Sequence, residues 1–355
     1  MDEMNDVLLS RLMTQCALGK LYGEPEPVSG GFMHKMYRVA TDKGVFAVKH
    51  LNREVMARPG VFENYARADS LEAILERHDI PIVPSLTLCG RKMQQVDDDY
   101  FYIFNWQNGA ISDWNTISAA QCEKAGNILG RIHAIEPRDV PHEEPVPCAI
   151  DWHAYTERAV MAAHAASAES GLDAQKSELA ALLSESEELL DYAQKEVNRA
   201  RESLPDIVCI SNEDMDPKNI MWDDGAPHVI DLECLNYGNP VSHVLQLALQ
   251  WAGITTCSLD VDNVAAFFRG YLAAYDSGFR SYPAVFGLAY TWIEWLEYNI
   301  RRALEDGFPE DERQLGIEQV RQTICRIRYI REHEEKIKAV LENICYTVTT
   351  EGTHA

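Results

Sequence analysis

Acidic side chains crowd residues 210–233, ISNEDMDPKNIMWDDGAPHVIDLE, between two short apolar runs, CIS at 209–211 and HVIDL at 228–232. The apolar runs read as buried strands. A loop this charged must reach water or hold cations, because a carboxylate is costly to bury without a partner. The segment is therefore a strand–loop–strand unit whose acids form either a solvated turn or a divalent-metal site. Asp223 and Asp224, in WDDGAP, belong to the turn between strands. Asp214 and Asn219, spaced D-x-x-x-x-N, and Asp231 in the second short strand keep the metal alternative open.

Two kinds of periodicity surround this unit. Residues 5–20 carry apolar side chains at helical spacing, and YRVAT and VFAVKHL then alternate on either side of DKG, a hairpin signal. A helix is expected over 61–78, followed by strands in IPIVPSLTLCG and DYFYIFNW. From about residue 115 the pattern turns helical. SAAQCEKAGNILGRIHAI places Ala125, Ile128, Leu129 and Ile132 on one stripe, with Ser118 as a cap. A Pro- and acid-rich link, EPRDVPHEEPVP, leads to polar-faced helices over 151–203 with a break near SGLD, and helices resume after 233 and run to about 343. The chain is thus α+β, with a small N-terminal antiparallel sheet lobe (1–105) and a large, mainly helical C-terminal lobe (106–355).

Alternation in VFAVKHL puts Val45, Ala47 and Lys49 on one face and Phe46 and Val48 on the other. Lys49 is either an edge-strand surface residue or, if that face is covered, a cation needing a negative partner. Ser29, Gly30 and Gly31 precede the hairpin. Such a pair of glycines makes a plain turn, or lets backbone N–H groups approach phosphate oxygens. An Asp that accepts a hydroxyl proton, with an Asn oxygen and a second Asp on a metal, supplies what phosphoryl transfer asks of a protein.

Taken in order, S-G-G, A-V-K, the helix LGRIHAI, D-M-D-P-K-N-I-M-W and V-I-D-L-E resemble the aminoglycoside phosphotransferase and choline-kinase-like family, small-molecule relatives of protein kinases. YFYIFNWQNG is similar to the family strand that becomes the interlobe hinge. The resemblance covers roughly residues 25–300. It implies a two-lobed protein-kinase-like fold and transfer of the γ-phosphoryl of ATP or GTP, with Mg²⁺, to a hydroxyl of a small molecule. Asp214 would be the catalytic base, Asn219 and Asp231 would bind Mg²⁺, and Lys49 would contact the α/β-phosphates. The Ser29–Gly31 loop would cover the phosphates, and the backbone around Phe104 and Trp106 would receive the nucleobase. Asp69 is the expected helix acid beside Lys49, with Glu72 one turn on.

The chain departs from the family at one catalytic-loop position: Asn212 stands where the pattern has His, and its amide can still donate and accept. Glu233 follows Asp231 at a position that in the family can help order the second metal or the loop, or it is a solvated turn residue. Asp216 is a loop acid that could meet a cationic acceptor. His133 reads as a packed histidine. In TWIEWLEYNIRRALEDG, Glu294 and Glu297 share a helix face among Trp292, Trp295 and Tyr298, as a solvated edge or as an acid-and-aromatic wall for an amine.

Charge narrows the partners. A balance of 32 basic to 56 acidic residues, net −24, argues against a phosphate-backbone partner and suits a cationic acceptor such as an aminoglycoside. Choline, homoserine or methylthioribose-type metabolites are the other acceptors to weigh, and a nucleotide-binding pseudokinase module is the non-enzymatic alternative. No apolar run approaches the roughly 18 residues of a membrane span. The nine cysteines form no C-x-x-C pair, which suits free thiols in a reducing compartment. With the acidic, amphipathic opening MDEMNDVLLSRLM, this leads to the expectation of a cytoplasmic protein.

Overall fold

The computed structural model describes residues 6–28, 34–136, 151–153, 171–304 and 307–351. They form two compact units, Met1–Ser112 with Asn212–Asn236, and Asp113–Ser211 with Tyr237–Ala355. The class is α+β, with a small antiparallel sheet region and a largely helical remainder.

In the first unit the chain runs α1 (Asp6–Gln15), β1 (Glu26–Val28), β2 (Lys35–Thr41), β3 (Gly44–His50), a one-turn α2 (Arg53–Met56), α3 (Val61–Arg77), β4 (Gln94–Val96) and β5 (Asp99–Asn105). The five strands pair antiparallel in the order β1-β2-β3-β5-β4. Alternation along β3 sorts its two faces. Val48 joins Leu9, Leu12 and Met13 of α1 with Val39 and Ile103 in one apolar cluster. Leu51, Val55, Tyr65 and Tyr102 form a second cluster. Each fully buried Leu contributes about 1.5–3 kcal/mol, so α1 fastens to the sheet through its apolar stripe.

IPIVPSLTLCG does not form the expected strand. Pro81 and Pro84 have no N–H to donate, and only isolated bridges form there, Ile82 with Val229, Ser85 with Phe104 and Leu88 with Arg91. One of these bridges carries the acid-rich segment. Val83 N–H donates to the Val229 carbonyl, and Val229 N–H to that of Pro81, both at 2.8 Å. A short β6 (Ala110–Ile111) pairs with β8 (Ile220–Asp223), which pairs with β9 (Ala226–Val229). These pairings group residues 212–236 with the sheet by contacts, whereas a division at 105/106 places them with the helices. β7 (Cys209–Asn212) and β10 (Leu235–Gly238) form a separate two-stranded sheet.

The second unit comprises α4 (Ala119–His133), α5 (Gly171–Glu185), α6 (Glu187–Glu202), α7 (Pro240–Trp251), α8 (Val261–Ala274), a 3-10 stretch Tyr282–Tyr290, α9 (Trp292–Leu304), α10 (Glu310–Glu332) and α11 (Glu334–Glu351). Ser118 caps α4 through a reciprocal box with Gln121. The predicted stripe Ala125, Ile128, Leu129 and Ile132 is buried. α4 meets α8 closely because both carry glycine at the contact: a Cβ on Gly126 would lie 2.0 Å from the Phe267 carbonyl oxygen, and one on Gly270 1.9 Å from that of Glu123. Residues 137–150, which hold most of the Pro-rich link, and 154–170 lie outside the described residues. Among those described, no helix is long and apolar enough to cross a membrane.

Candidate functional site

The acid-rich loop folds as a chain of short local devices. After β7, Asn212 Oδ1 accepts the Asp214 N–H at 3.2 Å. Asp216 caps a 3-10 turn, Pro217–Asn219, by accepting the Lys218 N–H at 3.0 Å. The turn brings the Asn219 amide back onto Asp214, where Nδ2 donates to the backbone oxygen at 2.7 Å and to Oδ2 at 2.9 Å. It also folds the Lys218 ammonium between Asp214 Oδ1 and Asp216 Oδ2, both at 2.9 Å. Asp214 is thereby held at both carboxylate oxygens.

Asp224 and Gly225 both adopt positive φ between β8 and β9, as the WDDGAP turn requires. Asp231 is not in the second strand, as expected from the sequence, but two residues past it. Its φ of 59° is in the left-handed region, uncommon for a non-glycine residue. Two constraints hold it: Ile230 N–H donates to the Asn219 carbonyl at 2.9 Å, and a 3-10 turn, Leu232–Cys234, follows at once. The pairing of Ile220 with Val229 therefore delivers Asn219 and Asp231 to the same end of the hairpin.

Lys49, only 6% exposed, reaches Asp231 Oδ1 at 2.9 Å and Glu233 Oε1 at 2.7 Å. Burial opposes its charge, but Glu233 and Asp231 outweigh burial and raise its pKa above the usual lysine value. Burial likewise opposes the charge on Glu233, and Lys49 with His34 reverses the effect and lowers its pKa. The surface-lysine alternative is thus excluded for Lys49.

The expected Lys49–Asp69 pair does not form. Asp69 Oδ1 accepts from the Tyr102 hydroxyl at 2.9 Å. Glu72 Oε1 takes Lys92 Nζ at 2.5 Å together with the Ser85 N–H and hydroxyl at 2.6 and 2.9 Å. The short Asp69 side chain and the engaged Glu72 leave Lys49 to acids 182 and 184 positions away in sequence.

Phe104 lines a cleft with Lys49, Asp69, Asp231 and Glu233. The Trp106 ring lies under the Arg38 guanidinium, its centroid 5.3 Å away, and the Trp106 backbone N–H donates to the Val45 carbonyl. Ser29, Gly30 and Gly31 lie outside the described residues. Asn212 is fully buried, and its Nδ2 finds no acceptor among the described residues. It holds the loop through its oxygen alone.

Lys218 escaped sequence reasoning. Its only local signal is the D-x-K spacing after Asp216, and the 3-10 turn is what bends it onto Asp214. His133 is a packed histidine, 3% exposed, with Nδ1 2.9 Å from the Tyr271 hydroxyl. On α9, Trp295 stacks on Tyr298, while Glu294 is already paired with Arg201 at 2.6 Å.

Asn219 Nδ2 is spent on Asp214 and Asp231 Oδ1 on Lys49, so among the described residues Asn219 Oδ1 and Asp231 Oδ2 are the atoms left to face a cation. An amide oxygen and a carboxylate oxygen suit a hard divalent cation such as Mg²⁺. A positioned carboxylate, two oxygen donors and a buried ammonium in one unit are the parts of a phosphoryl-transfer site.

The profile of the phosphotransferase enzyme family matches residues 24–285. The chain belongs to that family. No curated protein sequence matches it. Among solved structures, a spectinomycin phosphotransferase in complex with ADP and spectinomycin is similar over 92% of this chain and 98% of its own, with 11% identity and a TM-score of 0.68. A choline/ethanolamine kinase family protein from Mesorhizobium loti covers 94% and 99% at 12% identity and 0.59. An ethanolamine kinase from Plasmodium vivax covers 85% and 81% at 14% identity and 0.57. At these identities the likeness is one of fold, and it is that of small-molecule kinases.

Proposed function

We propose that this phosphotransferase moves the γ-phosphoryl group of ATP or GTP to a hydroxyl of a small, cationic molecule, with an aminoglycoside-type compound as the first candidate. One observation carries the reading: Asp214 is held at both oxygens by Lys218 and Asn219, within the same unit as the Lys49–Asp231 pair. Asp214 accepts the proton of the acceptor hydroxyl. Asn219 and Lys218 fix the orientation of its carboxylate, so the in-line geometry costs little reorganisation. Lys49 binds the α/β-phosphates, and residues 104–106 receive the base. Asn219 Oδ1 and Asp231 would hold Mg²⁺, which supplies charge neutralisation on the phosphates when bound.

The net charge of −24 favours an amine-bearing acceptor. The likeness to an ethanolamine kinase favours small amino alcohols as the second reading. The test is a nucleotide-consumption screen over aminoglycosides, aminocyclitols, choline, ethanolamine and homoserine, with Asp214→Asn as blank. Consumption stimulated by an amine and absent in the blank supports the reading. Nucleotide binding with no consumption across the panel removes it in favour of a binding module.

A further inference from the structure

A buried lysine that is to hold nucleotide phosphates needs a carboxylate to position it, and α3 does not provide one here. Its two inward acids are committed elsewhere, Asp69 to Tyr102 and Glu72 to Lys92 and Ser85. Glu233 occupies the place instead, with Oε1 2.7 Å from Lys49 Nζ.

Glu233 is itself held. Its Oε2 lies 3.4 Å from His34 Nε2. His34 Nδ1 accepts the backbone N–H of Asn52 at 3.0 Å, which leaves Nε2 to carry the proton of the neutral ring, beside Glu233 and 3.3 Å from the Tyr65 hydroxyl. His34 enters β2 and Asn52 follows β3, so the ring ties both ends of the hairpin to the carboxylate. The chain is Asn52, His34, Glu233, Lys49, with Asp231 at its far end.

Charge gives this chain a purpose. Lys49 carries one positive charge between two carboxylates. With both present, the ammonium is balanced by Glu233, and Asp231 keeps negative charge to offer a cation. With Glu233 neutral, the ammonium has Asp231 as its one close counter-charge among the described residues, and lysine and metal then compete for the same oxygens.

We infer that Glu233, positioned by His34, is the residue that anchors Lys49 and so leaves Asp231 available to the metal–nucleotide complex. The inference rests on the phosphotransferase reading for the ligand, but it is read from binding and does not require turnover. Glu233 acts through Lys49 and is a positioning residue.

The test compares Glu233→Gln, Asp69→Asn and wild type by calorimetric binding of a non-hydrolysable ATP analogue across a Mg²⁺ titration. Thermal unfolding without ligand checks the fold. A charge-assisted contact of this kind is worth about tenfold or more in affinity. Glu233→Gln is expected to raise the half-saturating Mg²⁺ by about that factor, and Asp69→Asn to stay within about threefold of wild type. Glu233→Asp, which keeps the charge, should recover part of the loss. His34→Gln should move the Mg²⁺ requirement in the same direction as Glu233→Gln, by a smaller factor. In steady state with any active acceptor, Glu233→Gln raises the KM for the magnesium–nucleotide and leaves the KM for the acceptor near wild type. An unchanged Mg²⁺ titration in Glu233→Gln overturns the inference. So does an equal loss in Asp69→Asn, which returns the anchor to α3. A wild type that binds the analogue but never consumes nucleotide removes the phosphotransfer reading and leaves these titrations to decide the role of Glu233.

Discussion

Asp216 is the loop acid whose surroundings most oppose its charge. Burial pushes its pKa up to about 6, a rise that Lys218 moderates and the neighbouring Asp214 reinforces. In the unfolded chain the same carboxyl titrates near the ordinary aspartate value of about 3.9. Between those two values the folded protein holds the proton more tightly than the unfolded chain does. The stability this contributes is therefore complete below about pH 4 and is lost as pH rises through about 6. At about 1.4 kcal/mol per unit, a two-unit rise amounts to about 3 kcal/mol of destabilisation near neutrality. Asp216→Asn removes the charge but keeps a side-chain oxygen to accept the Lys218 N–H, so the 3-10 cap survives. Urea unfolding of both proteins in chelator, followed by tryptophan fluorescence, isolates the effect, because other titrating groups cancel in the difference. The variant should match wild type within a few tenths of a kcal/mol at about pH 3.5 and exceed it by about 3 kcal/mol at about pH 7.5. A difference that stays flat over this range, or that favours wild type as pH rises, refutes the reasoning.

Three further outcomes follow from the geometry. Asp214→Asn should keep the far-UV spectrum and nucleotide affinity while kcat falls by about 10³-fold, the scale of a lost general base; wild-type turnover in a single-turnover assay would remove Asp214 from that role. Lys92→Met strands Glu72, itself 5% exposed, and should cost about 3–5 kcal/mol in urea unfolding. The double variant Lys92→Met/Glu72→Gln should recover a large part of that loss. Gly126→Ala drives a methyl into the Phe267 carbonyl and should destabilise by about 1–3 kcal/mol, measured by thermal unfolding, with a neutral result showing that α4 and α8 can separate freely.

Local patterns made much of the architecture legible. The DKG hairpin, the alternation that sets Val48 against Lys49, the Ser118 cap and the stripe of α4 each follow from interactions within a few residues. The same holds for the turn at Asp224 and for the D-x-x-x-x-N spacing, whose two ends meet because a single 3-10 turn spans them. IPIVPSLTLCG misled because its apolar pattern suits a strand, while its two prolines cannot donate to one.

Pairing across long separations was not legible. Strand alternation sets Lys49 beside Val45 and Ala47, and only if that face is covered does it demand a carboxylate; the sequence then points to Asp69 or Glu72 of α3 and not to Glu233. Which acid answers depends on where Tyr102, Lys92 and Ser85 lie, because a side chain already saturated by nearer donors is no longer available. Lys218 is a similar case: its identity is local, but its position over Asp214 exists only once the turn has closed. By itself the sequence determined most of the elements and the family. Tertiary structure alone decided which charges neutralise which, because an ion pair depends on distances of a few ångströms between groups that the chain holds nearly two hundred residues apart.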